Sequence, residues 1–161
     1  IGVADVYQGT EITRTSLVDP DNRRPVDFEE LAERLARLDA GAAPTELDDA
    51  KLAVTASALR LRQRERAAFV GATAGYQPLP TSTGHAVAYA RTADGAARVV
   101  TIVPRLTVSL ASHGGFGDHS VVLPEGRWRN VLTGETVDGG SVRFLDVLGD
   151  LSVALLERAD D

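Results

Sequence analysis

The sequence predicts an α+β chain in which a charged loop and two helices come first and an antiparallel β-sandwich follows. Three observations predict it. Apolar residues recur at helical spacing from Phe28 to Leu38 and again from Leu52 to Leu61. From about Thr73 onward, short apolar stretches are punctuated by Gly, Pro, Ser and Thr at the intervals of antiparallel strands. Ahead of both lies a short apolar strand, Val3 to Tyr7, closed by Gly9 and followed by a loop without sustained period from Gln8 to Pro25.

Composition narrows the function classes. The chain has 161 residues, 43% of them hydrophobic and 25% charged, so it resembles an ordinary globular protein able to bury a core. A net charge of −6 argues against a nucleic-acid or anionic-membrane partner, because either needs a basic surface. The absence of cysteine excludes disulfide and thiolate chemistry and fits a cytoplasmic location. No apolar run approaches the roughly 20 residues that span a bilayer, and no secretory leader pattern is present. Opening on Ile1, directly into an apolar strand, the chain is expected to be a piece of a longer protein.

The elements follow in order. Asp27 is a good N-cap, with Glu30 placed as in a capping box and Val26 placed to staple onto Leu31. Phe28, Leu31, Ala32, Leu35, Ala36 and Leu38 then form the apolar face, and Gly41 and Pro44 end the helix. A second helix starts near Asp48, capped by Thr45 or Asp48, with acidic residues in its first turn. Its end carries Arg60, Arg62, Arg64 and Arg66, read as a solvated helix terminus, and Gly71 closes the helical region. Expected strands are 85–91, 98–103, 106–110, 120–123, 128–132, 142–144 and 152–156, with Asp94-Gly95 as a hairpin turn. Alternation of Leu106, Val108 and Leu110 with Thr107 and Ser109 predicts a half-buried strand there.

Gly2-Val3-Ala4-Asp5-Val6-Tyr7-Gln8-Gly9-Thr10-Glu11 resembles the last barrel strand of the alpha-amylase family, with Ala4 where that family has proline. Leu17-Val18-Asp19-Pro20-Asp21-Asn22-Arg23-Arg24-Pro25-Val26-Asp27-Phe28 resembles one branch of it, the maltooligosyl trehalose synthases. Gly75-Tyr76-Gln77-Pro78-Leu79, Val103-Pro104-Arg105-Leu106 and Gly126-Arg127-Trp128-Arg129-Asn130 are similar to later parts of that branch. The resemblance implies that residues 1–71 are the end of a (β/α)8 barrel and 72–161 a C-terminal β-sandwich domain. It further implies an intramolecular transglycosylase of maltooligosaccharides, an isomerase of trehalose biosynthesis, with no cofactor. Its catalytic carboxylates would lie on earlier barrel strands, so no catalytic residue is expected in this chain and the chain alone is expected to be inactive.

Loops after barrel strands face the active site. The substrate-binding candidates are therefore Arg23, at the centre, with Asp21, Asn22 and Arg24 around it. An arginine fork holds sugar hydroxyls in fixed geometry. The competing reading is a self-paired loop that merely covers the barrel top. Two other functions stay open: another alpha-amylase-family hydrolase or transferase, and a glycan-binding β-sandwich without catalysis. Tyr7 and Glu11 read as architectural, and Trp128 as core rather than a sugar platform. His85, His113 and His119 have no metal-ligand spacing, so no metal is expected. Gly114-Gly115-Phe116-Gly117 is not followed by a helical pattern and reads as a surface loop rather than a phosphate cradle. The segment Ile1 to Tyr7, if detached from barrel neighbours, is expected to be displaced or paired with another chain.

Overall fold

The structure, a computed structural model, describes residues 7–16, 23–149 and 151–159. The expected first strand, apart from Tyr7, lies outside the described residues. The chain divides into two compact units, Ile1–Ser57 and Ala58–Asp161. The division falls inside the second helix.

In the first unit, α1 (Phe28–Asp39) begins as the sequence requires: the Asp27 carboxylate accepts from the Glu30 amide at 3.0 Å. Leu31 is buried, whereas Phe28 at the head of the same stripe is exposed. The second helix, α2 (Leu47–Arg64), is stitched to α1 by a fully buried carboxylate. Asp49 accepts from Arg37 at 2.6 Å, from Arg34 at 3.3 Å, and from the amide and hydroxyl of Thr45 at 3.2 and 3.0 Å. A buried carboxylate survives because its lone pairs are filled by charged and backbone donors. The Arg37 hydrogen bond, helped by Thr45, holds its pKa well below the usual carboxylate range. Arg34 also pairs with Glu30 and Glu46, and these contacts raise its pKa, Glu46 most.

The second unit is built on one antiparallel sheet. Its strands are β1 (Ala74–Pro78), β2 (Ala86–Ala93), β3 (Ala96–Pro104), β4 (Ser120–Asn130), β5 (Thr136–Arg143) and β6 (Ala154–Arg158). The spatial order is β1-β2-β3-β6-β4-β5, a six-stranded sheet where the sequence suggested a sandwich of two. The sheet curls. Beyond β1, Thr81 bridges to Val121 at the start of β4, and the Val122 amide donates to the Pro80 carbonyl at 2.9 Å. Flanks far apart in strand order therefore meet, and a single sheet wraps a single main core.

That core collects Ala88, Ala90, Val100, Ile102, Val121, Leu123, Trp128, Phe144 and Leu156. On the opposite face, Leu61 of α2 packs with Val99 and Leu155, flanked by Phe69 and Leu132. β3 and β6 are thus covered on both faces, which explains their nearly continuous apolar runs. Asp94 and Gly95 turn β2 into β3 with positive φ at both positions (49° and 80°), the primed-turn geometry expected of Asp-Gly.

The stretch expected as a strand at 106–110 is instead a short helix, α3 (Thr107–Ser112). Leu106, at φ 52°, breaks β3, and its carbonyl accepts from the Leu110 amide at 2.9 Å. Alternation over five residues also places Leu106 and Leu110 one helical turn apart, so the short pattern fits both periods. The residues expected as separate strands at 120–123 and 128–132 are one strand, β4, irregular between Leu123 and Arg127 where Pro124-Glu125-Gly126 bulges out. α4 (Phe144–Val147) takes over where the expected strand 142–144 was to end.

Candidate functional site

The loop leading to α1 is held at several points in the first unit. Tyr7, half exposed, opens a turn in which the Thr10 amide and hydroxyl both donate to the Tyr7 carbonyl, at 3.2 and 2.5 Å. Gly9 in this turn has φ +80° and is buried. A Cβ there would come within 2.8 Å of Val26, so only glycine fits. Further on, the Thr13 amide donates to Asp48 at 2.8 Å and Lys51 Nζ donates to the Ile12 carbonyl at 3.0 Å, which fastens this leg to the start of α2. Hydrogen bonding from the Thr13 side chain and amide lowers the Asp48 pKa. The expected role of Asp48 as a cap thus gives way to a loop anchor, and Thr45 pairs with Asp49.

Arg23 and Arg24 sit exposed in a turn immediately before Pro25, on the return leg of the loop. Asp21 and Asn22, the other two binding candidates, lie outside the described residues. The Arg24 carbonyl accepts from Arg14 Nη2 at 3.0 Å. A hollow of about 230 Å³ runs between the two legs, lined by Gly9, Ile12, Arg14, Val26, Asp27 and Glu30 among others. Both signs of charge therefore border one hollow, with amide and hydroxyl groups of the loop nearby. Such a surface can hydrogen-bond a polyol from several directions. Glu11 has one carboxylate oxygen buried without a hydrogen-bond partner among the described residues, an acceptor left open at the foot of the loop.

Sequence reasoning did not single out Arg14, Thr13 or Lys51, whose contacts span 10, 35 and 39 residues. Nothing in their local pattern marks them, because a long-range contact leaves no periodicity.

The second unit has its own polar hollow, about 440 Å³, at the β4 bulge, lined by Glu125, Arg127, Asp138, Gly139 and Arg158. Trp128 beneath it is fully buried, its Nε1 donating to the Pro124 carbonyl at 2.8 Å, so it is core as expected and offers no platform to a sugar. The arginines at the end of α2 are exposed, yet Arg64 is more than a solvated terminus: it forms a two-pronged ion pair with Glu157. The 114–117 loop is largely open, but Phe116 turns inward and stacks on Phe144 at 4.5 Å. His85 and His113 approach to 5.9 Å between ring centres. No three His, Asp or Glu side chains converge as a metal site among the described residues. No helix among them is long and apolar enough to cross a membrane.

No family model matches the chain. A Mycobacterium tuberculosis (strain H37Rv) protein named as a maltooligosyl trehalose synthase is 40% identical over 161 residues, covering 98% of this chain and 19% of the relative. The maltooligosyltrehalose synthase of Arthrobacter ramosus superposes with a TM-score of 0.84 at 38% identity, covering 96% of this chain and 20% of the other. The DSM5389 glycosyltrehalose synthase superposes at 0.69 with 25% identity, covering 98% and 18%. The chain is homologous to the C-terminal part of maltooligosyl trehalose synthases and spans about a fifth of the length of these relatives.

Proposed function

We propose that this chain is the C-terminal part of an enzyme that converts the reducing-end α-1,4 linkage of a maltooligosaccharide into an α-1,1 linkage, forming a terminal trehalose unit. The observation that carries the reading is the superposition of nearly the whole chain on the Arthrobacter ramosus synthase at a TM-score of 0.84. In this reading residues 1–71 complete the (β/α)8 barrel and 72–161 form its C-terminal β module.

The chemistry would be that of a retaining glycosidase. A carboxylic acid protonates the glycosidic oxygen while a carboxylate about 5 Å away attacks the anomeric carbon, releasing glucose and forming a glycosyl-enzyme. The released glucose then attacks that carbon through its own anomeric hydroxyl, displacing the enzyme carboxylate, and the hydroxyl proton passes to the first residue. No water is consumed, so the product is an isomer. Both carboxylates would come from the larger remainder of the protein, and this chain would have no turnover of its own.

What the chain contributes is a lip of the sugar site. Arg23, with Arg24, Asp21 and Asn22, would hold the departing glucose so that it turns over in place rather than yielding to water. Losing a fixed donor fork at such a point costs orientation as well as binding. The test is Arg23→Ala in the full-length protein, incubated with maltohexaose. The expected outcome is a fall of about 10²-fold in non-reducing product, with a larger share of free glucose. Unchanged kinetics would remove Arg23 from the site, and a parent protein that makes no non-reducing product would sink the functional reading itself.

A further inference from the structure

We infer that Arg14 is a positioning residue: its guanidinium latches the Arg23–Arg24 turn to the Gly9 turn and thereby sets where the Arg23 side chain can reach. The catalytic consequence rests on the proposed sugar contact of Arg23, whereas the latch itself rests on geometry. One prong, Nη2, donates to the Arg24 carbonyl at 3.0 Å. The other nitrogen, Nη1, lies over Gly9, where a Cβ would come within 2.7 Å of it. The same Cβ would meet Val26 at 2.8 Å, so the guanidinium and the Val26 side chain share the space that glycine leaves open.

Arg14 is suited to this because the backbone it springs from is already fixed. Its neighbours Ile12 and Thr13 are tied to Lys51 and Asp48 of α2. On the return leg, Val26 adjoins Asp27, the N-cap that starts α1. The latch grips a main-chain carbonyl, so it holds the turn through its backbone. A planar fork reaches in two directions at once, which a lysine cannot copy. A binding side chain acts only if its base is held to a fraction of an ångström.

The experiment uses the full-length protein. Arg14→Ala should lower kcat/KM for trehalose-unit formation by about 10-fold to 10²-fold, and Arg14→Lys should recover part of the loss. Because Arg14 acts through Arg23, the double variant R14A/R23A should be no worse than R23A. Hydrogen exchange followed by mass spectrometry should be faster in R14A than in the parent across residues 8–16 and 23–27. Losses that multiply in the double variant, or an R14A enzyme with parental kinetics, would overturn the positioning role. Identical exchange in parent and R14A would overturn the latch. If R23A has no effect, the sugar-clamp reading fails, and the exchange result still decides the latch.

Discussion

Glu157→Gln removes one charge from the middle of the sheet while keeping the side chain's shape. Glu157 lies on β6 opposite Val99 of β3 and Arg129 of β4. Its carboxylate takes Arg64 Nε at 3.0 Å, Arg64 Nη2 at 3.1 Å and Arg129 Nη2 at 2.7 Å. Hydrogen bonds to a charged group are worth about 1.5–3 kcal/mol each when buried. Here the residue is 9% exposed, but the side chains of both arginines are 49% exposed and regain water when the pair is lost. Exposed ion pairs contribute about 0.2–1 kcal/mol, so the net loss is set at about 1–2 kcal/mol. For a unit of this size that corresponds to a fall in Tm of about 4–10 °C at neutral pH. The pH dependence supplies the sharper test. The Arg64 hydrogen bonds, followed by Arg129, lower the Glu157 pKa below its ordinary value of 4.5 against the opposing effect of burial. The unfolded chain therefore takes up the proton first as pH falls. The stabilisation is fully present above 4.5 and is lost as pH drops through the lower folded value. Melts of the chain and of E157Q by circular dichroism should differ at pH 7 and converge on acidification. Equal Tm at pH 7, or a gap that persists in strong acid, would refute the reasoning.

Further outcomes follow from single contacts. Trp128→Phe loses the donor to Pro124 and part of the largest core ring, so the urea midpoint should fall by the equivalent of about 1–3 kcal/mol, and an unmoved midpoint would contradict the packing. Gly139→Ala would drive a Cβ to 2.2 Å from the Pro124 carbonyl, a backbone clash at the bulge. Gly134→Ala, with φ +82° and nothing within 4 Å, should cost only about 1–2 kcal/mol of left-handed backbone. Tm should therefore fall much further for G139A than for G134A, and the reverse order would overturn the account. Asp49→Asn should speed amide exchange in α1 at neutral pH. Because the folded Asp49 pKa is depressed, that penalty should shrink as pH falls below the ordinary carboxylate value of 3.8, and a pH-independent penalty would argue against the ion pair.

Where periodicity ran long, the fold was legible. The Asp27 cap, the Phe28–Asp39 helix and the Asp94-Gly95 hairpin each rest on local chemistry that few alternatives share. β1 was missed because Gly75 and Pro78 read as punctuation. It is a flanking strand of the sheet, where proline is tolerated. α3 was misread because five residues cannot separate a period of two from a turn of helix, and Val108, 85% exposed, is the residue that reports the difference. The single sheet was hidden for another reason: strand partners are chosen by register across many residues. For the candidate site, the loop ahead of α1 was expected from its lack of sustained period and its prolines. The anchors Arg14, Thr13 and Lys51 were not, since each acts at long range through a backbone group or a distant carboxylate.

The strand order has a consequence for how the second unit is made. β6 comes last in sequence among the described strands, yet it lies between β3 and β4, hydrogen-bonded to both. As a ribosome delivers this segment, β2–β3 and β4–β5 can each close as hairpins, but neither finds its central neighbour until Ala154 to Arg158 emerges. Until then Val99 and Val100 lie along an open edge, ready to pair with any other extended chain. Loss of β6 by truncation or proteolysis would return the unit to that state, making this short segment a checkpoint between synthesis and aggregation.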